Sequence, residues 1–390
     1  MTADLAWHTV TEAVFDDLAG GGGGREVARA LVSARRSRTL AFLRLLATDR
    51  DPAAAQAFAV LGDLRAHDPG AVTRVLDDPA VGLWATAALL RGDRGESTPG
   101  CLAQIAAAAA IRAGVVVELL FTAPTTVLPS LGTVEPIVGR ARTDRLRWTP
   151  FPAVRMAPGV RWTFGGWPRG LLPDGLGLAV RPDFALWQER LEAAWELLAT
   201  DHPVVAAELA ELVSAVTPLE PSDVGEASAT VGDALGCVFL SLSADAEMMA
   251  VTLAHEVHHA KLTVLMDLFP LFDTADDRLF YAPWRTDPRP VAGLLHGAYA
   301  HLAIAGFWRE RRQLAESARA HQEFARWREA TWTVSQMLLD SGALTPLGHR
   351  FVCGIRDRVQ VWLSEAVPAS DLRTATRLLA EHRQRWASGG

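Results

Sequence analysis

The chain has 390 residues, 49% hydrophobic and 21% charged, which is enough for two domains with apolar cores and excludes a disordered composition. Its formal charge is −7 at pH 7, and no basic stripe carries interleaved aromatics, so a nucleic-acid partner is not expected. Cys101, Cys237 and Cys353 form no C-x-x-C pair, so neither a disulfide framework nor a thiolate zinc cluster is expected, a usage that suits the reducing cytoplasm.

Asp4, Glu12, Asp16 and Asp17 leave no basic segment ahead of an apolar one, so the start does not read as a signal peptide. The apolar run 101–123 is interrupted by Arg112 and Glu118, and 262–272 is too short to cross a bilayer. Both read as buried helices, and no membrane partner is expected. Of the 38 lysine-plus-arginine residues a single one, Lys261, is lysine, so arginine must bind almost any anionic ligand here.

Taken in chain order, residues 1–135 read as helical. Gly20 to Gly24 reads as a flexible break, not a phosphate loop, because no GK[ST] follows. Residues 26–46, 53–64 and 101–120 carry apolar residues at helical spacing. A mixed region follows at 136–230. Trp148, Trp162 and Trp167 there stand among prolines and glycines, and 146–149 and 161–164 suggest short strands. Helices are expected at 185–199 and 204–216. In 231–390, a β-rich run at 237–242 leads through Ser243-Ala244-Asp245, a plausible cap, into a helix over 244–268. Further helices are expected at 293–315, 319–339 and 348–366. The fold class is mainly α with a small β region (α+β): a zincin-like strand followed by an HExxH helix and a C-terminal helical bundle.

The chemistry concentrates in Val251-Thr252-Leu253-Ala254-His255-Glu256-Val257-His258-His259-Ala260. His255 and His259 are i and i+4, so a helix puts both imidazoles on one face where they converge on one metal ion. Glu256 is placed to touch a metal-bound water or orient a ligand. His258 points away and reads as a supporting or core histidine. Lys261 falls on another face and reads as solvated. No Gly-x-x-His follows closely, so the metzincin pattern is absent. His296 is the favoured third ligand, because Gly293 and Gly297 beside it permit close helix approach. The alternatives are His301 and Asp267, the latter completing the two-His-one-carboxylate set of non-haem iron. Arg285 and Arg289 lie in the proline-rich stretch Tyr281-Ala282-Pro283-Trp284-Arg285-Thr286-Asp287-Pro288-Arg289-Pro290, where a guanidinium could grip a carboxylate in two-point fashion. Each could equally pair with Asp287 or stack on Trp284.

These motifs, with Gly293-Leu294-Leu295-His296-Gly297-Ala298-Tyr299, resemble a bacterial family of HEXXH-motif domain proteins understood as iron(II)- and 2-oxoglutarate-dependent peptide β-hydroxylases. The resemblance covers about residues 233–308. It implies Fe(II) held by His255 and His259, 2-oxoglutarate as cosubstrate with an arginine on its distal carboxylate, and hydroxylation of a β-carbon in a ribosomally made precursor peptide. It also implies that Glu256 orients a ligand rather than serving as a base. Two other functions stay open: a zinc metallopeptidase with Glu256 as general base, and a non-catalytic protein with a closed structural metal site.

Overall fold

Three aspartate–proline pairs start helices in the first quarter of the chain. In each, the carboxylate accepts backbone N–H groups that the first turn leaves over, and the proline fills a position needing no N–H. Asp51 caps Pro52–His67 through Ala53 and Ala54, Asp68 caps Pro69–Leu76 through Ala71, and Asp78 accepts from Ala80 at the head of Pro79–Arg91. The computed structural model describes residues 8–47, 51–91, 102–167, 171–172, 176–221, 227–229, 231–314 and 317–388. Cys101 and parts of the proline- and glycine-rich stretch lie outside these.

The described residues are 61% helical, with small sheets and a C-terminal helical region. In order, the elements are α1 (Glu12–Ala19), α2 (Arg25–Leu46), α3 (Pro52–His67), α4 (Pro69–Leu76), α5 (Pro79–Arg91), α6 (Leu102–Ala113), β1 (Glu118–Leu128), β2 (Gly132–Arg142), β3 (Trp148–Pro150), β4 (Ala153–Ala157) and β5 (Val160–Phe164). They continue with α7 (Phe184–Asp201), α8 (Pro203–Leu212), β6 (Ala215–Leu219), β7 (Ser228–Ala229), β8 (Cys237–Ser241), α9 (Ala246–Leu268), β9 (Leu279–Phe280), β10 (Arg289–Pro290), α10 (Val291–Leu314), α11 (Ala318–Asp340), α12 (Pro346–Leu363) and α13 (Ala369–Ser388). They form two compact units that are not consecutive in sequence: Met1–Leu31 with Glu196–Leu209 and Glu247–Gly390, and Val32–Trp195 with Ala210–Ala246.

The second of these units carries the sheets. Antiparallel strands β1, β2 and β3 form one of them, and the other runs β4-β5-β6-β8-β7. Its central pairs, β5 with β6 and β6 with β8, are parallel, while β4 and β7 lie antiparallel at the edges. α6 supplies much of this unit's core, for Ile105 to Ala110 are fully buried and five of those six residues are alanine. Two helices expected from the sequence end earlier than their apolar patterns do. α6 stops at Ala113 because Gly114 turns left-handed (φ 66°), with Gly114 N–H donating to Ile111 O and Val115 N–H to Ala110 O. The three valines beyond it lead to β1, where Leu119 and Phe121 face the core. Likewise α8 ends at Leu212, and Ala215–Leu219 becomes a strand buried at every position between two parallel neighbours.

The other unit is a bundle. α11 packs on α10, α12 and α13, and α1 lies on α12. Phe15 of α1 meets Phe351 and Phe269 edge-on, both at 5.8 Å. α10 is the one helix among the described residues long and apolar enough to span a membrane, and 72% of its apolar window is buried in the protein. α13 was not anticipated from the sequence; its pattern is mostly polar.

His202, ahead of Pro203, is buried and stacks on Phe307 at 4.4 Å. Burial pulls its pKa from 6.5 down to about 4. A base whose folded pKa is depressed binds more protons when unfolded, so its stabilisation is complete above pH 6.5 and is lost as pH falls towards 4. The loss from this group is expected to be about 3 kcal/mol, from 1.36 kcal/mol per unit. Urea unfolding of His202→Phe at pH 7 and pH 4.5 checks this: the variant should show a shallower acid loss than the parent.

Candidate metal centre

β8 runs through a short turn into α9, the helix that carries the His-Glu-x-x-His segment. One turn separates His255 from His259, and their Nε2 atoms lie 3.0 Å apart. An ion with bonds of about 2.0–2.1 Å to each nitrogen spans such a gap without moving either ring. Glu256 completes a group of three potential ligands whose donor atoms all fall within 4.8 Å of one another. Its carboxylate is buried, with Oε1 3.8 Å from His255 Nε2.

Burial is the leading cause that depresses the pKa of both histidines, with neighbouring imidazoles adding to it at His259. Both rings are therefore neutral at pH 7 and keep the lone pairs a metal needs. Without a metal the two Nε2 atoms must share one hydrogen. Two tautomer sets fit that geometry; in the one that leaves His259 Nε2 bare for a metal, His255 Nε2–H donates to His259 Nε2, and His259 Nδ1–H donates to His296 Nδ1 at 3.3 Å. His255 Nδ1 is then a buried bare nitrogen, and no partner for it is found among the described residues.

His296 is thereby placed behind His259, against the ring nitrogen that faces away from His255. It lies outside the group of three converging ligand atoms. Its position instead suits a partner that fixes the tautomer and tilt of a ligating histidine. Burial lowers its pKa to about 4, so the ring is neutral at pH 7 and has one nitrogen able to accept. His301 is also turned elsewhere. Its Nδ1–H donates to Gly297 O at 2.8 Å, its ring stacks on Trp284 at 4.3 Å, and its centroid is 5.4 Å from that of His255. Asp267 is exposed at the far end of α9 and does not join the group.

Gly293 and Gly297 do not serve helix–helix approach. A Cβ on Gly297 would sit 2.2 Å from Trp284 Cζ2, and one on Gly293 would sit 3.1 Å from Arg289 Nε. Both glycines make room for side chains of the 281–290 loop. Gly297→Val is expected to expel Trp284 from its stack on His301 and to cost about 1–3 kcal/mol. Urea unfolding measures the cost, and parent-like stability would show that Trp284 can move freely.

Arg285 Nε donates to Asp287 Oδ1 at 2.7 Å, and Arg289 Nη1 to Asp287 Oδ2 at 3.1 Å. Arg285, then Arg289, holds the Asp287 carboxyl below its usual range despite some desolvation. Of the alternatives open from the sequence, the pairing with Asp287 is present, and Trp284 stacks on a histidine rather than an arginine.

His258 is a core residue, with Nδ1–H donating to Ala254 O at 3.0 Å and Nε2 facing Lys261 Nζ at 3.5 Å. Lys261 overturns the expectation of a solvated side chain, being fully buried. Its ammonium donates to both oxygens of buried Glu208 at 3.0 Å and to Gly22 O at 3.1 Å. Gly24 N–H donates to the same Glu208 at 2.8 Å, and His258 Nε2 lies 3.3 Å from Gly21 O. The glycine run is thus wrapped around a buried ion pair rather than left as a flexible break. Positive φ at Gly21, Gly23 and Gly24 lets its backbone make that approach. No sequence pattern pointed to Glu208, which lies 53 residues from its partner.

The chain matches no protein-family model and no curated protein sequence.

Proposed function

We propose that this protein is an iron(II)- and 2-oxoglutarate-dependent hydroxylase acting on a β-carbon of a ribosomally made peptide, with His255 and His259 as metal ligands. The supporting observation is the group gathered on α9: two imidazoles with convergent Nε2 atoms to hold an ion, and the Glu256 carboxylate beside them. Iron(II) with 2-oxoglutarate supplies the oxidising power to place one oxygen atom of O₂ in a C–H bond, the other entering succinate as CO₂ leaves. His255 and His259 hold the ion, His296 holds the proton on His259 Nδ1, and Glu256 orients what binds beside the ion. Arg285 and Arg289 receive the distal carboxylate of 2-oxoglutarate in exchange for part of their contact with Asp287. With a single, buried lysine in the chain, arginine is the group left for that task.

The test is anaerobic loading with Fe(II) and 2-oxoglutarate, then exposure to O₂ with a panel of ribosomally made peptides. The expected products are succinate and a peptide heavier by one oxygen atom. Arg289→Ala is expected to raise the 2-oxoglutarate requirement by roughly ten- to a hundredfold, the loss of one charge-assisted contact. Buried Glu256 beside the histidines also supports a second reading, a zinc peptidase in which that carboxylate deprotonates a metal-bound water. Cleaved peptide with zinc, no succinate with iron, and complete loss of turnover in Glu256→Gln would decide for the peptidase.

A further inference from the structure

A groove of about 440 Å³ lies between α11 and α13, with Tyr281 and Pro283 also in its lining. Its size falls within the roughly 300–1,000 Å³ usual for ligand sites. The α11 wall runs from Ala325 to Thr333 and the α13 wall from Leu372 to Arg383. At 1.5 Å per helical residue these walls are about 12 and 16 Å long, the reach of four or five extended residues. The surface between them is largely aliphatic, with Leu379 half-buried and Leu372 43% exposed.

The two ends differ in charge. At the Tyr281 end, the Arg383 guanidinium lies 5.7 Å from the Tyr281 ring centroid, and the Tyr281 hydroxyl meets His382 Nδ1 at 3.0 Å. Arg383 and Arg326 both act on Tyr281, while Arg385 and Arg326 both act on His382. Arg326 has Glu323 at 4.0 Å, whereas Arg383 and Arg385 are exposed and make no ion pair among the described residues. Arg328 also lines the groove, but its Nη1 donates to the carbonyls of Trp362 and Glu365 at the end of α12. Glu329 is the one acidic residue described in the lining.

One loop joins the positive end to the histidine cluster. Tyr281 and Pro283 belong to the loop whose Trp284 stacks on His301, and His301 lies edge-on to His255.

We propose that this groove docks a segment of the peptide substrate remote from the reacting carbon: an extended aliphatic stretch with a carboxylate at the Tyr281 end. The identity of the occupant rests on the peptide-hydroxylase reading; the groove's preference for an acidic, aliphatic peptide does not. Binding energy gathered here holds the substrate while a neighbouring residue reaches the metal.

Fluorescence anisotropy of the metal-free full-length protein with fluorescein-labelled ALDLDA-amide and ALKLKA-amide tests this. Net charge alone, at −7, would favour the lysine peptide. The groove instead requires roughly tenfold tighter binding of the aspartate peptide, loss of that preference in Arg383→Glu, and weaker binding of both peptides in Leu379→Glu. Thermal unfolding checks that each variant is folded. No binding, no preference, or a preference that survives Arg383→Glu overturns the proposal. So does a parent that sediments as a dimer and a Leu379→Glu variant that sediments as a monomer, since a second copy would then be the occupant. Acid-selective binding without succinate formation keeps the groove and rejects the hydroxylase; succinate formation without such binding does the reverse.

Discussion

Lys261→Met is expected to destabilise the protein by about 3–5 kcal/mol, the usual cost of removing one partner from a buried ion pair. Lys261 and Glu208 are exposed by 0% and 1% of their side chains, and the ammonium makes three hydrogen bonds in this pocket. Without it, Glu208 keeps Gly24 N–H and loses the only cation in contact with it among the described residues. Gly22 O also loses its donor, and the glycine run loses what holds it to α9. Because marginal stability is ordinarily only about 5–15 kcal/mol, this one side chain carries a large share of it. The double variant Lys261→Met/Glu208→Gln separates charge from packing. Its amide oxygen still accepts from Gly24 and its NH₂ can serve Gly22 O, with no charge left buried. It should recover more than half of the loss in urea unfolding. A cost below about 1 kcal/mol for Lys261→Met would mean that water reaches Glu208 and the pair is not a buried one.

That pair also marks where sequence legibility ends. His255, Glu256 and His259 were readable because their convergence follows from local helix geometry, and an i, i+4 pair needs nothing else of the fold. The long helices were readable for the same reason: their apolar spacing is periodic within the segment. Features set by distant partners were not. Lys261 sits two residues past His259 on a face that local reasoning assigns to solvent, and only the return of α8 and the 20–24 loop makes that face interior. The helix ends near 113 and 212 were missed because an alanine- and valine-rich run suits a helix or a buried strand equally. Gly114 was the available signal for the first of them. His296 was legible as a histidine one helix away, but not its contact with His259 Nδ1 at 3.3 Å. Which ring nitrogen meets which neighbour depends on how α10 is set against α9, and spacing says nothing about that.

The largest functional effect is expected at the metal itself: His255→Ala and His259→Ala should each abolish tight binding of one Fe(II) or Co(II), and His296→Ala should only weaken it. The first two changes remove one of two Nε2 donors lying 3.0 Å apart, leaving a single imidazole to hold the ion. The third leaves both donors in place. It deletes the group that receives the His259 Nδ1 proton, and loss of such a supporting contact typically costs about ten- to a hundredfold in metal affinity. Anaerobic titration with Co(II), followed by its visible ligand-field bands, measures all three variants directly. Thermal unfolding gives a second readout, because an ion at a hundred times its Kd stabilises the folded state by about 2.7 kcal/mol. That increment should vanish in His255→Ala and His259→Ala and persist, at higher metal concentration, in His296→Ala. Full occupancy in either of the first two removes the centre from α9. Complete loss in His296→Ala, equal to theirs, would make His296 a direct ligand and require its ring to turn from His259 Nδ1 towards the ion.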